Sequence, residues 1–200
     1  MRSGRYPVIC ILLLLAACAG PDRRDVASAG WAAHKETVQL LQHWSASGKL
    51  ALRSSTASES ATLNWRQQEQ HTHLELRGPL GVGATTIHSD GLQLDIYRGE
   101  EHRTVDISSP GAIVENTGWE LPLSALPYWL KGIPSPAYPV ESLELDPQTQ
   151  LLSKLQQDSW EIHYGKYEQF QQFILPTRLD IQRNGTSARL IIRQWRVEGP

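Results

Sequence analysis

From Gly48 onward the chain alternates apolar and polar residues with a period of two. Leu50 and Leu52 fall on one face, then Leu63 and Trp65, then Leu74 and Leu76, then Leu92, Leu94 and Ile96. Successive side chains of a strand point to opposite sides, so each segment offers one face to an interior and one to water. Turn residues recur about every eight to twelve positions, the spacing of an antiparallel sheet or barrel. Arg98-Gly99-Glu100-Glu101 closes one such pair, and Asn184-Gly185-Thr186 makes a hairpin turn. Val105 and Ile107 end the first series, and strands return at 142–145, 151–156, 160–164, 177–182 and 188–197. The pattern predicts a mainly β fold of roughly ten to eleven strands, able to close on itself with helical pieces across its opening.

Two stretches follow helical spacing instead. Trp31, Val38, Leu41 and Trp44 share a face over 31–44, and Gly48 is expected to end that pattern. In 121–130, Leu123, Leu126, Trp129 and Leu130 share another, with Ser124 as the expected cap, Pro127 in the first turn and Gly132 as the stop. A further short helix is expected over 110–118. Strand parity puts Leu50, Leu52, Leu63, Trp65, Leu74, Leu76, Leu92, Leu94 and Ile96 on the inner face, with Leu126, Trp129 and Leu130 on the covering helix. Of Trp195 and Ile192 only one should face inward, because they differ in parity; a bulge would change that. Alternation alone favours a packed core, and a cavity is the sharper alternative.

The first residues set the destination. Arg2 and Arg5 precede an apolar run from Val8 to Ala17, too short for the roughly 20 residues of a membrane span. This is the layout of a secretory signal peptide, expected over 1–17. Leu15-Ala16-Ala17-Cys18 resembles the bacterial lipobox, which implies cleavage before Cys18 and its acylation. Cys10 leaves with the signal, so the mature chain has one cysteine, no intramolecular disulfide, and a lipid to account for the odd thiol. Several acyl chains, at about 0.8 kcal/mol per buried methylene, would hold the protein on a membrane. Ala19 rather than Asp after the cysteine implies, by resemblance to the sorting rule of Gram-negative lipoproteins, the outer membrane. Residues 18–30 read as a lipidated tether and 31–200 as a single domain. The mature part keeps 17 of the 19 Lys and Arg against 21 Asp and Glu, a formal charge of −4, and no basic face suggests nucleic acid.

Chemistry is sparse. His71 and His73 share a strand face but lack the further ligands a metal needs, and read as solvated histidines. Gly81-Val82-Gly83 opens no helix of a βαβ unit, so a phosphate cradle is unsupported. No Gly-x-Ser-x-Gly occurs. No catalytic residue, metal or cofactor is expected.

An ordered set of motifs resembles the LolB family of outer-membrane lipoprotein receptors. It comprises Gly48-Lys49-Leu50-Ala51, Leu63-Asn64-Trp65, Leu74 to Gly81, Gly118 to Leu123, Leu126 to Gly132, Trp160 to Tyr164 with Tyr167, Leu175 to Leu179, and Leu190 to Trp195. The resemblance implies an incomplete, strongly curved antiparallel β-barrel with a helical lid over an apolar cavity that takes acyl chains. It implies a monomer that receives acylated lipoproteins from the periplasmic carrier LolA and inserts them into outer-membrane phospholipid without making or breaking a bond. It also gives a meaning to Pro79, Leu80 and Gly81. The family's exposed leucine in this loop is linked to membrane insertion, and an exposed leucine forgoes about 2 kcal/mol of burial. The rival expectation is a structural or accessory lipoprotein of an envelope assembly complex. A lipid-acting hydrolase is a third, disfavoured by the missing nucleophile.

Overall fold

The computed structural model describes residues 23–54, 58–79, 83–107 and 121–198. The expected signal peptide, Cys18, the expected helix over 110–118, and Leu80 and Gly81 lie outside them. Eleven strands form one antiparallel sheet: β1 (His43–Arg53), β2 (Ser58–Gln68), β3 (His71–Arg77), β4 (Thr85–Ser89), β5 (Gln93–Arg98), β6 (Glu101–Asp106), β7 (Val140–Leu145), β8 (Leu152–Gln157), β9 (Trp160–Phe170), β10 (Phe173–Arg183) and β11 (Thr186–Val197). Their order is β6-β5-β4-β3-β2-β1-β11-β10-β9-β8-β7, two meanders joined where β1 pairs with β11. The sheet is open, because β6 and β7 are its two edges although they follow each other in the chain. It is also curled: Val105 on one edge and Leu155 near the other belong to a single buried core. The inner face follows the period-two pattern, as in β2, where Leu63, Trp65 and Gln67 are buried and Thr62, Asn64 and Arg66 are exposed.

Several boundaries differ from the sequence expectation. Helix α1 runs Arg23–Gln39, beginning inside the expected tether and ending before Trp44. Trp44 is instead a buried residue of β1. Gly48 does not stop a helix. It lies within β1, at the register shift where Ser47 faces Gln194 and Gly48 faces Ile192. Arg193 is the extra residue, and both Ile192 and Trp195 therefore turn inward, 3% and 5% exposed. Strand parity without a bulge would turn only one of them inward. Strand β10 begins at Phe173 and runs through Pro176, whereas the sequence pattern places its start at 177. A second shift in the pairing with β9, around Thr177, accommodates the proline.

The described part of the connection between β6 and β7, residues 121–139, packs on the concave side. Its helix α2 spans Leu126–Leu130, shorter than expected, and its cap is Ala125 rather than Ser124, with no side-chain cap bond. Gly132 ends it at φ +78°. The Gly132 amide donates to the Trp129 carbonyl at 3.0 Å and the Ile133 amide to the Tyr128 carbonyl at 3.2 Å, the paired closure of a Schellman motif.

Candidate functional site

The inner face is built as rows across the strands. Ala46 of β1 lies between Trp195 of β11 and Trp65 of β2. Trp65 faces Leu74, Leu74 faces Ile87, and Ile87 faces Ile96. The small Ala46 leaves room for Trp44, whose ring centroid is 5.2 Å from Trp195 and 5.9 Å from Trp65. Among the expected interior residues, Leu50, Leu63, Trp65, Leu74, Leu76 and Leu94 are buried, and Leu52 and Ile96 are half-buried against the same core. Leu92 is the exception, at 65% exposed. It has the right parity but precedes β5, in a turn that Asp90 holds by accepting the Leu92 and Gln93 amides at 2.9 and 2.7 Å. Parity carries no direction where the sheet has not begun.

Leu126, Trp129 and Leu130 of α2 are buried on the core. Two polar residues that carry no signal in the sequence pattern hold that helix. Gln157, fully buried at the end of β8, accepts from Trp129 Nε1 and from the Ser135 amide, both at 2.9 Å. Its Nε2 donates to the Ser135 and Tyr138 carbonyls at 2.9 and 2.8 Å. Lys131, 6% exposed, reaches the end of α1, where its Nζ donates to the Leu41 carbonyl at 2.9 Å and lies 3.4 Å from the Val38 carbonyl. An ammonium there answers the negative end of the helix dipole. Burial away from water brings its pKa down to about 8. Neither residue belongs to an apolar pattern, so periodicity gives no signal for them. A lone Lys beside the helix-stopping Gly132 is the one hint.

The outer face is polar. β3 and β4 bring His73 and His88 together, Nδ1 to Nδ1 at 3.2 Å, and His73 Nε2 lies 3.2 Å from Glu75. That bond, with Arg77, holds the Glu75 carboxyl below its usual range. A shallow hollow of about 290 Å³ lies here, lined by Arg66, His71, His73, His88 and Asp95. Among the described residues no group of three or more His, Cys, Asp or Glu converges as metal ligands. The residues that line the hollow are all polar or charged. The apolar surface is inside.

The family profile described as "Outer membrane lipoprotein LolB" matches residues 42–195. The chain belongs to the LolB family. Proteins named "Outer-membrane lipoprotein LolB" from Alkalilimnicola ehrlichii and Stutzerimonas stutzeri are 36% and 35% identical to it, covering 98% and 93% of this chain and 98% and 92% of theirs. Family membership makes it an outer-membrane lipoprotein, the localisation that the lipobox and Ala19 lead one to expect. The curled sheet is similar to that of a LolA superfamily protein from Nitrosomonas europaea, with a TM-score of 0.57 at 9% identity over 87% of this chain and 94% of that one. A DUF1329 family protein from Desulfovibrio piger has a TM-score of 0.53 at 11% identity, covering 86% and 93%. Likeness at that identity concerns the fold.

Proposed function

We propose that this protein receives acylated lipoproteins from a periplasmic carrier of the LolA kind and inserts them into the outer membrane. The observation that carries the reading is the largely apolar inner face of a sheet open along one side, with a helix packed on it. The helix is attached through few bonds, chiefly those of Gln157 and Lys131. Acyl chains enter beneath α2, against Leu50, Leu52, Leu63, Trp65, Leu74, Leu76, Leu94 and Ile96, as Leu126, Trp129 and Leu130 give way. Exposure of the chains to water would cost about 0.8 kcal/mol per methylene, so cargo moves from one apolar interior to another and then to lipid. No step needs a nucleophile, a metal or a nucleotide. Direction comes from rising affinity: carrier, receptor, bilayer.

Cys18 carries the lipid anchor, and Pro79-Leu80-Gly81 forms the insertion tip. The antiparallel pairing supports a separation of tasks between the ends of the sheet. The end of β3 and the start of β4, which flank Leu80 in the chain, lie opposite the α1–β1 junction and the Asp90 turn. Exposed charges on both edge strands, Glu101 and Arg103 on β6 and Glu141 and Glu144 on β7, discourage edge pairing and support a monomer.

The test is transfer of a lipoprotein from a loaded carrier into liposomes, comparing the soluble domain with its Leu80→Glu variant. The variant should take cargo and fail to deposit it. Equal deposition would remove Leu80 from the mechanism. If neither protein accepts cargo, the receptor reading fails and a structural role in an envelope assembly takes its place.

A further inference from the structure

Among the described residues, the inner face contains one hydroxyl that is buried without a hydrogen-bond partner. Tyr164 lies on the inward side of β9, opposite Leu179 of β10, in the same core as Ile162 and Leu175. It is 8% exposed, and its hydroxyl is buried without a hydrogen-bond partner. Its neighbour Tyr167 shows the ordinary treatment: that hydroxyl donates to the Leu152 carbonyl at 2.8 Å. Phenylalanine would fill the Tyr164 position without the penalty of stripping water from a phenol. Burial, reinforced by Tyr167, pushes the Tyr164 pKa well above its ordinary value, so the group stays a neutral donor.

Three other buried polar atoms among the described residues lack partners, His34 Nε2, Gln150 Oε1 and Trp160 Nε1. His34 and Gln150 belong to α1 and the β7–β8 turn, not to the strands of the inner face. The Trp160 ring is packed, with the Arg183 guanidinium 4.3 Å from its centroid and Trp129 at 6.3 Å. Tyr164 therefore supplies the interior with a hydroxyl that can turn and donate.

We propose that the Tyr164 hydroxyl donates a hydrogen bond to the ester carbonyl at the head of an acyl chain bound in the interior, selecting ester-linked acyl lipid over plain hydrocarbon. The inference rests on the reading that acyl chains enter beneath α2. An ester carbonyl accepts and cannot donate, which matches a buried hydroxyl donor that lacks a partner. A hydrocarbon in the same place leaves the hydroxyl unpaired, and sites that bond a polar group reject analogues that lack it.

The experiment titrates the soluble domain with dihexanoylphosphatidylcholine and with its dihexyl ether analogue, following the fluorescence of the interior tryptophans. The two lipids share headgroup and chain length and differ in the carbonyls. Wild type should bind the diester about five- to tenfold more tightly than the diether, the worth of one neutral hydrogen bond. Tyr164→Phe should bind both with the affinity of wild type for the diether. Its thermal midpoint without lipid should equal or exceed that of wild type. Persistence of the ester preference in Tyr164→Phe, or its absence from wild type, overturns the proposal. So does a lowered midpoint of the free variant, which would mean that the hydroxyl serves the fold. Binding of neither lipid by wild type overturns the acyl-binding reading itself, and this inference with it.

Discussion

Gly48 is the residue whose replacement the structure forbids most plainly. A Cβ built on it would lie 2.0 Å from the Ile191 carbonyl oxygen and 2.9 Å from its carbon, contacts with backbone that cannot swing aside. The glycine is there because β11 carries an extra residue at Arg193, and the bulge drives the two backbones together. Gly48→Ala should destabilise the protein by about 3 kcal/mol or more. Thermal unfolding should show a midpoint lower by at least about 6 °C for a chain of this size. A midpoint within about 2 °C of wild type would mean that β1 and β11 separate here at little cost. Gly132 is constrained differently: its positive φ closes α2, and a Cβ would meet Tyr167 Oη at 2.9 Å. That hydroxyl is already engaged with Leu152, so the closeness of α2 to the sheet depends on two neighbouring small decisions.

For the elements, the question is what attaches the lid. Helix α2 has five residues, too few to be stable alone, so its order comes from packing and from Gln157. That one side chain satisfies four polar groups of the crossing segment. Leucine in its place would leave the Trp129 indole N–H, the Ser135 amide and carbonyl and the Tyr138 carbonyl buried without these partners. Each such group costs about 1–3 kcal/mol, and the segment will relax to recover some of it, so Gln157→Leu should cost about 3 kcal/mol or more. Hydrogen exchange should locate the loss in 126–138, with β1 amides following only the global change. Uniform acceleration of exchange throughout the sheet would contradict the idea that the lid opens as a unit.

For the whole molecule, the buried titratable groups shape stability against pH. Lys131 has a folded pKa near 8, below its ordinary value of 10.5, so between these values the unfolded chain binds more protons and stability rises with pH. The gain is on the order of 3 kcal/mol if it runs over the full interval. Tyr164 and Tyr167 are shifted upward by burial, so stability falls as pH rises through their ordinary value of 10.0. The curve should climb from about pH 8 and turn over near pH 10. On the acid side, Glu161 is held at about 2 by bonds from Lys154, His163 and Gln182, so its stabilisation is lost as pH falls from its ordinary value of 4.5 through 2. Denaturant titrations of wild type and Lys131→Met across pH 7 to 10 should differ in slope, the variant lacking the rise. Parallel curves would show that Lys131 titrates in the folded protein as it does in water.

The inner-face leucines and tryptophans, the turns, the mainly β class and the lipobox could all be read from the chain, because period-two burial and turn chemistry are local. The ordered motifs extended that reading to the family. The inward turn of both Ile192 and Trp195, the exposure of Leu92 and the passage of β10 through Pro176 depend on pairing with a neighbouring strand. Such pairing brings together residues as distant as Gly48 and Ile192, whose contact no local pattern encodes. Lys131, Gln157 and Tyr164 acquire their meaning only in the folded interior, for the same reason. A polar side chain carries no label for burial, and its partner, or its lack of one, is decided where the sheet curls.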